Sequence, residues 1–264
     1  MSDWNPALYS RFEDERTRPA RELLARVPLG SVRTAYDLGC GPGNSTELLV
    51  ARFPSATVIG TDNSQSMLDS ARKRLPAARF ELSDIGTWQP ETPPDLIYAN
   101  AALQWVGDHE TLLPKLFAML APGGVLAIQM PDNRDESTHR LMREVASETP
   151  WEHHIGPSAA VRTKLLPLNA YYDLLAPHAA QLDVWRTAYQ HPMDSAAAIV
   201  EWVSATGLRP FVDPLPSDLR ASYLAEYERR IDAAYSVRRD GKRLLAFPRL
   251  FIVAVRPSPK SASS

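Results

Sequence analysis

Three glycines alternate in the run Gly39-Cys40-Gly41-Pro42-Gly43, which follows a short apolar stretch and precedes a helix-forming one. Glycine brings backbone close to a ligand with no Cβ in the way, and a helix start adds free amide groups. The spacing narrows the ligand. A dinucleotide loop needs Gly-x-Gly-x-x-Gly, with a pyrophosphate on the helix N-terminus. Counted from Gly39, the third glycine would fall at position 44, where Asn44 stands; counted from Gly41 it would fall at 46, where Thr46 stands. The lysine-bearing phosphate loop is missing too. The loop therefore suits a ligand that carries no pyrophosphate.

More polar residues stand at the ends of later apolar runs: Asp62 after the second, Asp84 after the third and Asn100 after the fourth. A carboxylate at the end of a second strand can accept both hydrogen bonds from a ribose diol. Asp84 could accept from an adenine amino group, and Asn100 could bind an amino-acid end. The plainer alternative is that the glycines only shape a tight turn and that Asp62 and Asp84 cap helices. That accounts for each residue singly. Taken in order they point to one crevice, because ligands of doubly wound sheets bind beyond the carboxyl ends of the strands.

Such residues need a scaffold, and from Val32 to about Pro131 short β-rich runs alternate with helix-like stretches, the pattern of a parallel sheet with crossover helices. Strands are expected over Thr34–Leu38, Thr57–Thr61, Ala78–Leu82, Pro94–Ala99 and Val125–Met130, and helices over Ser45–Arg52, Gln65–Leu75 and His109–Leu120. Ser64 and Asp108 are the expected N-caps. Pro122-Gly123-Gly124 should stop the third helix.

Beyond Pro131 helices are expected to about Val145, over Val161–Leu175, Ser195–Ala205 and Arg220–Arg238, with two last strands over Gln181–Gln190 and Leu244–Val255. The expected fold is α/β: a doubly wound, mostly parallel seven-stranded sheet with a helical cap inserted around the last strands. Residues 1–31 would form a segment covering the ligand site and 32–131 the binding core. Residues 132–243 would form the cap with the sixth strand at about 181–190, 244–256 the last strand and 257–264 a disordered tail.

At 264 residues, 44% hydrophobic and 23% charged, the chain can hold one medium-sized core with a smaller lobe. A net charge of -2 argues against a nucleic-acid partner. Cys40 is the one cysteine, which excludes an intrachain disulfide and a Cys-based zinc site, and no His/Asp/Glu spacing resembles a metal site. The start lacks signal-peptide order, and no apolar run approaches the about 20 residues that span a bilayer. A soluble, cytoplasmic protein with no membrane partner is expected.

Through Asp37-Leu-Gly-Cys-Gly-Pro-Gly-Asn44, Gly60-Thr-Asp-Asn-Ser-Gln-Ser-Met67, Asp84-Ile85 and Leu120-Ala-Pro-Gly-Gly124, the sequence resembles the class I S-adenosylmethionine-dependent methyltransferases, a Rossmann-like family. The resemblance implies S-adenosyl-L-methionine as cofactor, S-adenosyl-L-homocysteine as product and no metal. It implies a cofactor set of Asp37, Gly39, Cys40, Gly41, Gly43, Asn44, Asp62, Asn63, Met67, Asp84, Ile85 and Asn100. The glycines would line the methionine portion, Asp62 the ribose, and Asp84 with Ile85 the adenine.

Within that family, Asp3 to Pro19 and Asn100-Ala-Ala-Leu-Gln-Trp-Val106 are similar to a carboxyl O-methylating branch, which implies a small tricarboxylate, trans-aconitate, as acceptor. A malonyl-carrier-protein or another small carboxylic acid is the enzyme alternative, and a non-catalytic S-adenosylmethionine sensor module is the alternative outside enzymes. A carboxylate is already ionised at neutral pH, so no residue is needed as general base. His109 and His139 could serve as bases for a phenol or amine acceptor, but read more simply as structural. A tricarboxylate calls for cations, preferably Arg. The candidates for the acceptor are Arg11, Trp105, His153, Arg162 and Arg239, with Arg16, Arg18, Arg209, Arg238 and His154 behind them; for each the plainer reading is a solvated surface residue.

Overall fold

The computed structural model describes residues 13–156, 164–204 and 207–258, with side chains from residue 17 onward. The first half alternates helix and strand: α1 Glu13–Ala25, β1 Thr34–Leu38, α2 Asn44–Arg52, β2 Thr57–Asp62, α3 Gln65–Arg74, β3 Arg79–Leu82, β4 Leu96–Asn100, α4 His109–Ala118 and β5 Val125–Pro131. The rest holds α5 Ser137–Ala146, α6 Glu152–Ile155, α7 Leu168–Leu175, β6 Gln181–Met193, α8 Ala196–Ser204, α9 Arg209–Val212, α10 Ser217–Ala234 and β7 Arg243–Val255.

The strands form one seven-stranded sheet in the order β3-β2-β1-β4-β5-β7-β6. The pairings β1–β2, β1–β4, β2–β3 and β4–β5 are parallel. The expected doubly wound α/β class is therefore the one found, with the order reversing between β1 and β4. Parallel strands buried on both faces read as continuous apolar runs, and β5 is buried at every position. One face carries Leu38, Ile59, Ile97, Leu126 and Ile128 against Leu112, Leu113 and Leu116 of α4. On the opposite face the fully buried Tyr98 donates its hydroxyl to the Ala20 carbonyl of α1 at 2.6 Å. Asp37 shares that face, because it pairs in register with Tyr98 and Gly60.

The chain divides into two compact units. One comprises residues 14–131, 165–186 and from 250 onward; the other comprises 132–164 and 187–249. The second unit has its own core, in which Leu141, Met142 and Val145 of α5 meet Ile199, Trp202 and Val203 of α8 and Tyr223, Tyr227 and Ile231 of α10. The four-residue spacing of Tyr223, Tyr227 and Ile231 puts them on one stripe of α10. Their burial leaves two hydroxyls in need of acceptors: Tyr223 donates to the Met142 carbonyl at 2.8 Å and Tyr227 to the Thr138 carbonyl at 3.1 Å.

Several boundaries differ from the sequence expectation. The helix expected over Val161–Leu175 begins at Leu168, after the extended Pro167, while 161–163 lie outside the described residues. α10 runs earlier than expected, from Ser217, and stops at Ala234 because Tyr235 is extended. Asp108 caps α4 by accepting from the Thr111 amide at 3.3 Å, whereas Ser64 occupies the cap position of α3 without that bond and pairs with the Ser66 hydroxyl at 3.0 Å. Among the described residues no helix is long and apolar enough to cross a membrane. No group of three or more His, Cys, Asp or Glu among them could hold a metal ion.

Candidate functional site

The three loop glycines all have left-handed backbone, with φ of +70° at Gly39, +54° at Gly41 and +93° at Gly43. At Gly39 a side chain is excluded twice over, because a Cβ there would stand 2.4 Å from the Ala102 Cβ and 3.4 Å from Ile85 Cδ1. At Gly41 a Cβ would meet nothing within 4 Å, so the space beside it is open. The amides of Gly39 and Cys40 both donate to the Thr61 carbonyl, at 2.8 and 2.9 Å, tying the loop to the end of β2.

Asp62 completes that tie. Its Oδ2 accepts from the Gly41 amide at 2.9 Å and its Oδ1 from the Ser64 amide at 2.9 Å. Each carboxylate oxygen keeps a second lone pair, so a diol can still be accepted at the half-buried carboxylate. Asn63 next to it is exposed and Met67 on α3 is half-buried. Asp84 is exposed and accepts from the Gly86 amide at 2.8 Å, while Ile85 packs inward toward Gly39. The ends of β1, β2, β3 and β4 thus converge through Gly39, Asp62, Ile85 and Ala102.

Behind the loop Asp37 is fully buried, and its Oδ2 accepts from the hydroxyls of Ser45 and Thr46, each at 2.7 Å. Its Oδ1 is buried without a hydrogen-bond partner. Burial pushes this carboxyl up to about 6, against the two hydroxyls that lower it, and repulsion from Asp62 adds to the rise. Asp37 therefore braces the first turn of α2 from below. Cys40 is buried, and burial together with Asp37 and Asp62 pushes its thiol up, which makes it inert as a nucleophile. Asn44 opens α2 and is half-buried.

At the end of β4, Asn100 presents a buried Oδ1 without a hydrogen-bond partner. Ala101 after it is left-handed, with φ of +54°, an uncommon conformation for a residue with a Cβ. The turn is held because the Ala101 amide donates to the Gln129 carbonyl at 2.9 Å and its carbonyl accepts from Gln104 Nε2 at 2.6 Å. Trp105 follows on a single 3-10 turn, Leu103–Trp105, and is half exposed.

The acceptor candidates do not gather in this way. Arg11 and Arg162 lie outside the described residues, as does the side chain of Arg16. Trp105 belongs to the unit that carries the glycine loop, whereas His153 and Arg239 are exposed residues of the other unit. His153 lies 3.5 Å from Glu152, and Arg209 pairs with Asp213 at 3.4 Å. Arg18 pairs with Glu22 at 2.8 Å. His109 is buried between the Tyr171 hydroxyl, at 2.7 Å, and the Leu103 carbonyl, at 2.9 Å, and burial lowers its pKa. His139 is buried in the other unit beside the Thr138 hydroxyl. Both rings are buried and hydrogen-bonded within their own units.

Sequence reasoning missed Ser45 and Thr46 as the supports of Asp37, and it missed Gln104 and Gln129. The signal for Gln129 was present: an amide inside the otherwise apolar run Val125–Pro131.

Comparison with known proteins fits this arrangement. A family model described as a methyltransferase domain matches residues 35–124, from β1 to the turn before β5. The structure is similar to that of a phosphoethanolamine N-methyltransferase from Haemonchus contortus in complex with S-adenosylhomocysteine. The TM-score is 0.56 at 15% identity, covering 95% of this chain and 56% of that one, a likeness of fold. In sequence the chain is 74% identical to a trans-aconitate 2-methyltransferase of Variovorax paradoxus, over 96% of this chain and 98% of the relative. It is 70% identical to one of Paracidovorax citrulli, over 97% and 99%. With that identity sustained along nearly the whole of both chains, and the methyltransferase signature falling on the converging strand ends, the chain belongs to the trans-aconitate 2-methyltransferase family.

Proposed function

We propose that the chain transfers the methyl group of S-adenosylmethionine to a carboxylate oxygen of trans-aconitate, releasing the monomethyl ester and S-adenosylhomocysteine. The observation that carries this reading is the near-full-length identity with relatives of that name. It gives no support to a carrier-protein acceptor or a sensor module.

The residues at the strand ends fit the donor. Left-handed glycines leave room beside the loop at Gly41, Asp62 has lone pairs for a ribose diol, and Ile85 offers an apolar wall beside Asp84. The buried Oδ1 of Asn100 suits an ammonium group, which gives an otherwise unpaired acceptor a donor. When bound, S-adenosylmethionine supplies a methyl group activated by a positive sulfonium.

An acceptor carboxylate oxygen forms its bond to the methyl carbon as the carbon–sulfur bond breaks, and the electron pair of that bond stays on sulfur. No proton moves, so no side chain has to act as base. What remains for the chain is to align oxygen, carbon and sulfur and to keep water from solvating the carboxylate; alignment alone can contribute several kcal/mol.

Incubation with methyl-labelled S-adenosylmethionine and a panel of di- and tricarboxylates, followed by mild base, tests the reading. Base-labile label on trans-aconitate is expected. Label on none of the acids, with S-adenosylhomocysteine still bound, sinks it.

A further inference from the structure

Gln129 is fully buried on β5, and neither its Oε1 nor its Nε2 has a hydrogen-bond partner. Buried amides are nearly always satisfied, so a doubly unsatisfied one asks for an explanation. Its position supplies one. Asn100 and Gln129 are register partners on neighbouring parallel strands, so their side chains leave the same face of the sheet from backbones about 4.8 Å apart. Asn100 Oδ1 and Gln104 Oε1 are buried and without partners as well. Three amide side chains at the carboxyl ends of β4 and β5 therefore hold unmet polar groups in one neighbourhood.

The strand order gives the neighbourhood a direction. On the reading above, adenine, ribose and methionine lie across the ends of β3, β2, β1 and β4. The next strand in the sheet is β5. An acceptor that approaches the methyl group from the side opposite the nucleoside meets the end of β5.

We propose that Gln129 binds the acceptor, its Nε2 donating to the carboxylate that is methylated; this rests on the carboxyl-methylation reading. A neutral amide orients one carboxylate oxygen while leaving the charge of the group unpaired. A guanidinium at the same place would hold both oxygens and weaken the nucleophile. The carbonyl oxygens of Asn100 and Gln104 need donors, which an ionised polycarboxylate lacks and an α-ammonium possesses. The cluster thus presents oxygens to the cationic donor and Nε2 to the anionic acceptor. The three side chains are neutral amides, which is why a search of the sequence for charged partners passes over them.

The test is Gln129→Met, a change of similar shape, made in the full chain. Steady-state kinetics with trans-aconitate, the Kd of S-adenosylhomocysteine by calorimetry, and Tm of the ligand-free protein are compared with wild type. kcat/KM for trans-aconitate is expected to fall about ten- to hundredfold, the scale of one hydrogen bond to a charged group. The Kd is expected to change less than about threefold, since Asn100 and Gln104 keep their oxygens, and Tm to hold or rise because an unsatisfied buried amide has been removed. An unchanged kcat/KM, a Kd that weakens as far as kcat/KM falls, or a Tm several degrees lower overturns the proposal. Failure of the carboxyl-methylation reading looks different: the wild type then makes no ester before any variant is compared.

Discussion

The carboxylate of Asp62 accepts from the backbone amide of Gly41 at 2.9 Å, so the end of β2 holds the middle glycine of the loop that leaves β1. One side chain thereby shapes the loop and faces the space beside it. Asp62→Ala should weaken S-adenosylhomocysteine binding at least about tenfold, the scale of a lost charge-assisted hydrogen bond. Calorimetry reads the effect directly. Unchanged affinity would show that the ribose is held elsewhere.

Gly39 and Gly41 should separate stability from binding. Gly41→Ala places a Cβ in open space in left-handed backbone, costing about 1–2 kcal/mol of stability. The same methyl group intrudes where the ligand belongs, so binding should fall much further than Tm. Gly39→Ala drives a Cβ to 2.4 Å from Ala102 and should cost more stability than that, with binding lost alongside. Equal thermal melts for the two variants would contradict the loop geometry.

Asp37 should make stability depend on pH. Its folded pKa, about 6, lies above the unfolded carboxylate value of about 3.9, so the native state binds the extra proton. Its contribution is greatest below about pH 4 and is lost as pH rises through about 6, a change of about 3 kcal/mol at most. The difference in urea stability between wild type and Asp37→Asn should carry that slope between these values. A cationic ligand favours the ionised form, so S-adenosylmethionine should bind more tightly at pH 7.5 than at pH 5. A flat difference curve would refute the assignment.

His109→Gln should cost stability without altering the pH profile of catalysis. The imidazole satisfies the buried Tyr171 hydroxyl and the Leu103 carbonyl, and its loss should cost about 1–3 kcal/mol. kcat with trans-aconitate should be flat from about pH 6.5 to 8.5 in both proteins, because the acceptor is ionised throughout. A limb near neutral pH that disappears in the variant would make His109 a base.

The amino-acid sequence alone determined the run of strands and helices from β1 to β5, though not the helix α1 before it, the glycine spacing that excludes a pyrophosphate loop, and the order of Asp62, Asp84 and Asn100 along the chain. These are local properties: apolar periodicity sets element type, and left-handed backbone at Gly39, Gly41 and Gly43 selects glycine residue by residue. Only the tertiary structure decided that Asp37 turns inward to Ser45 and Thr46, that Ile85 and Ala102 crowd Gly39, and that His109 is spent on Tyr171. It also decided that Gln129 stands beside Asn100, two residues equally polar in the sequence as many at the surface. Burial and register depend on partners distant along the chain, and the same side chain is an ordinary solvated group or a costly buried one according to where they place it.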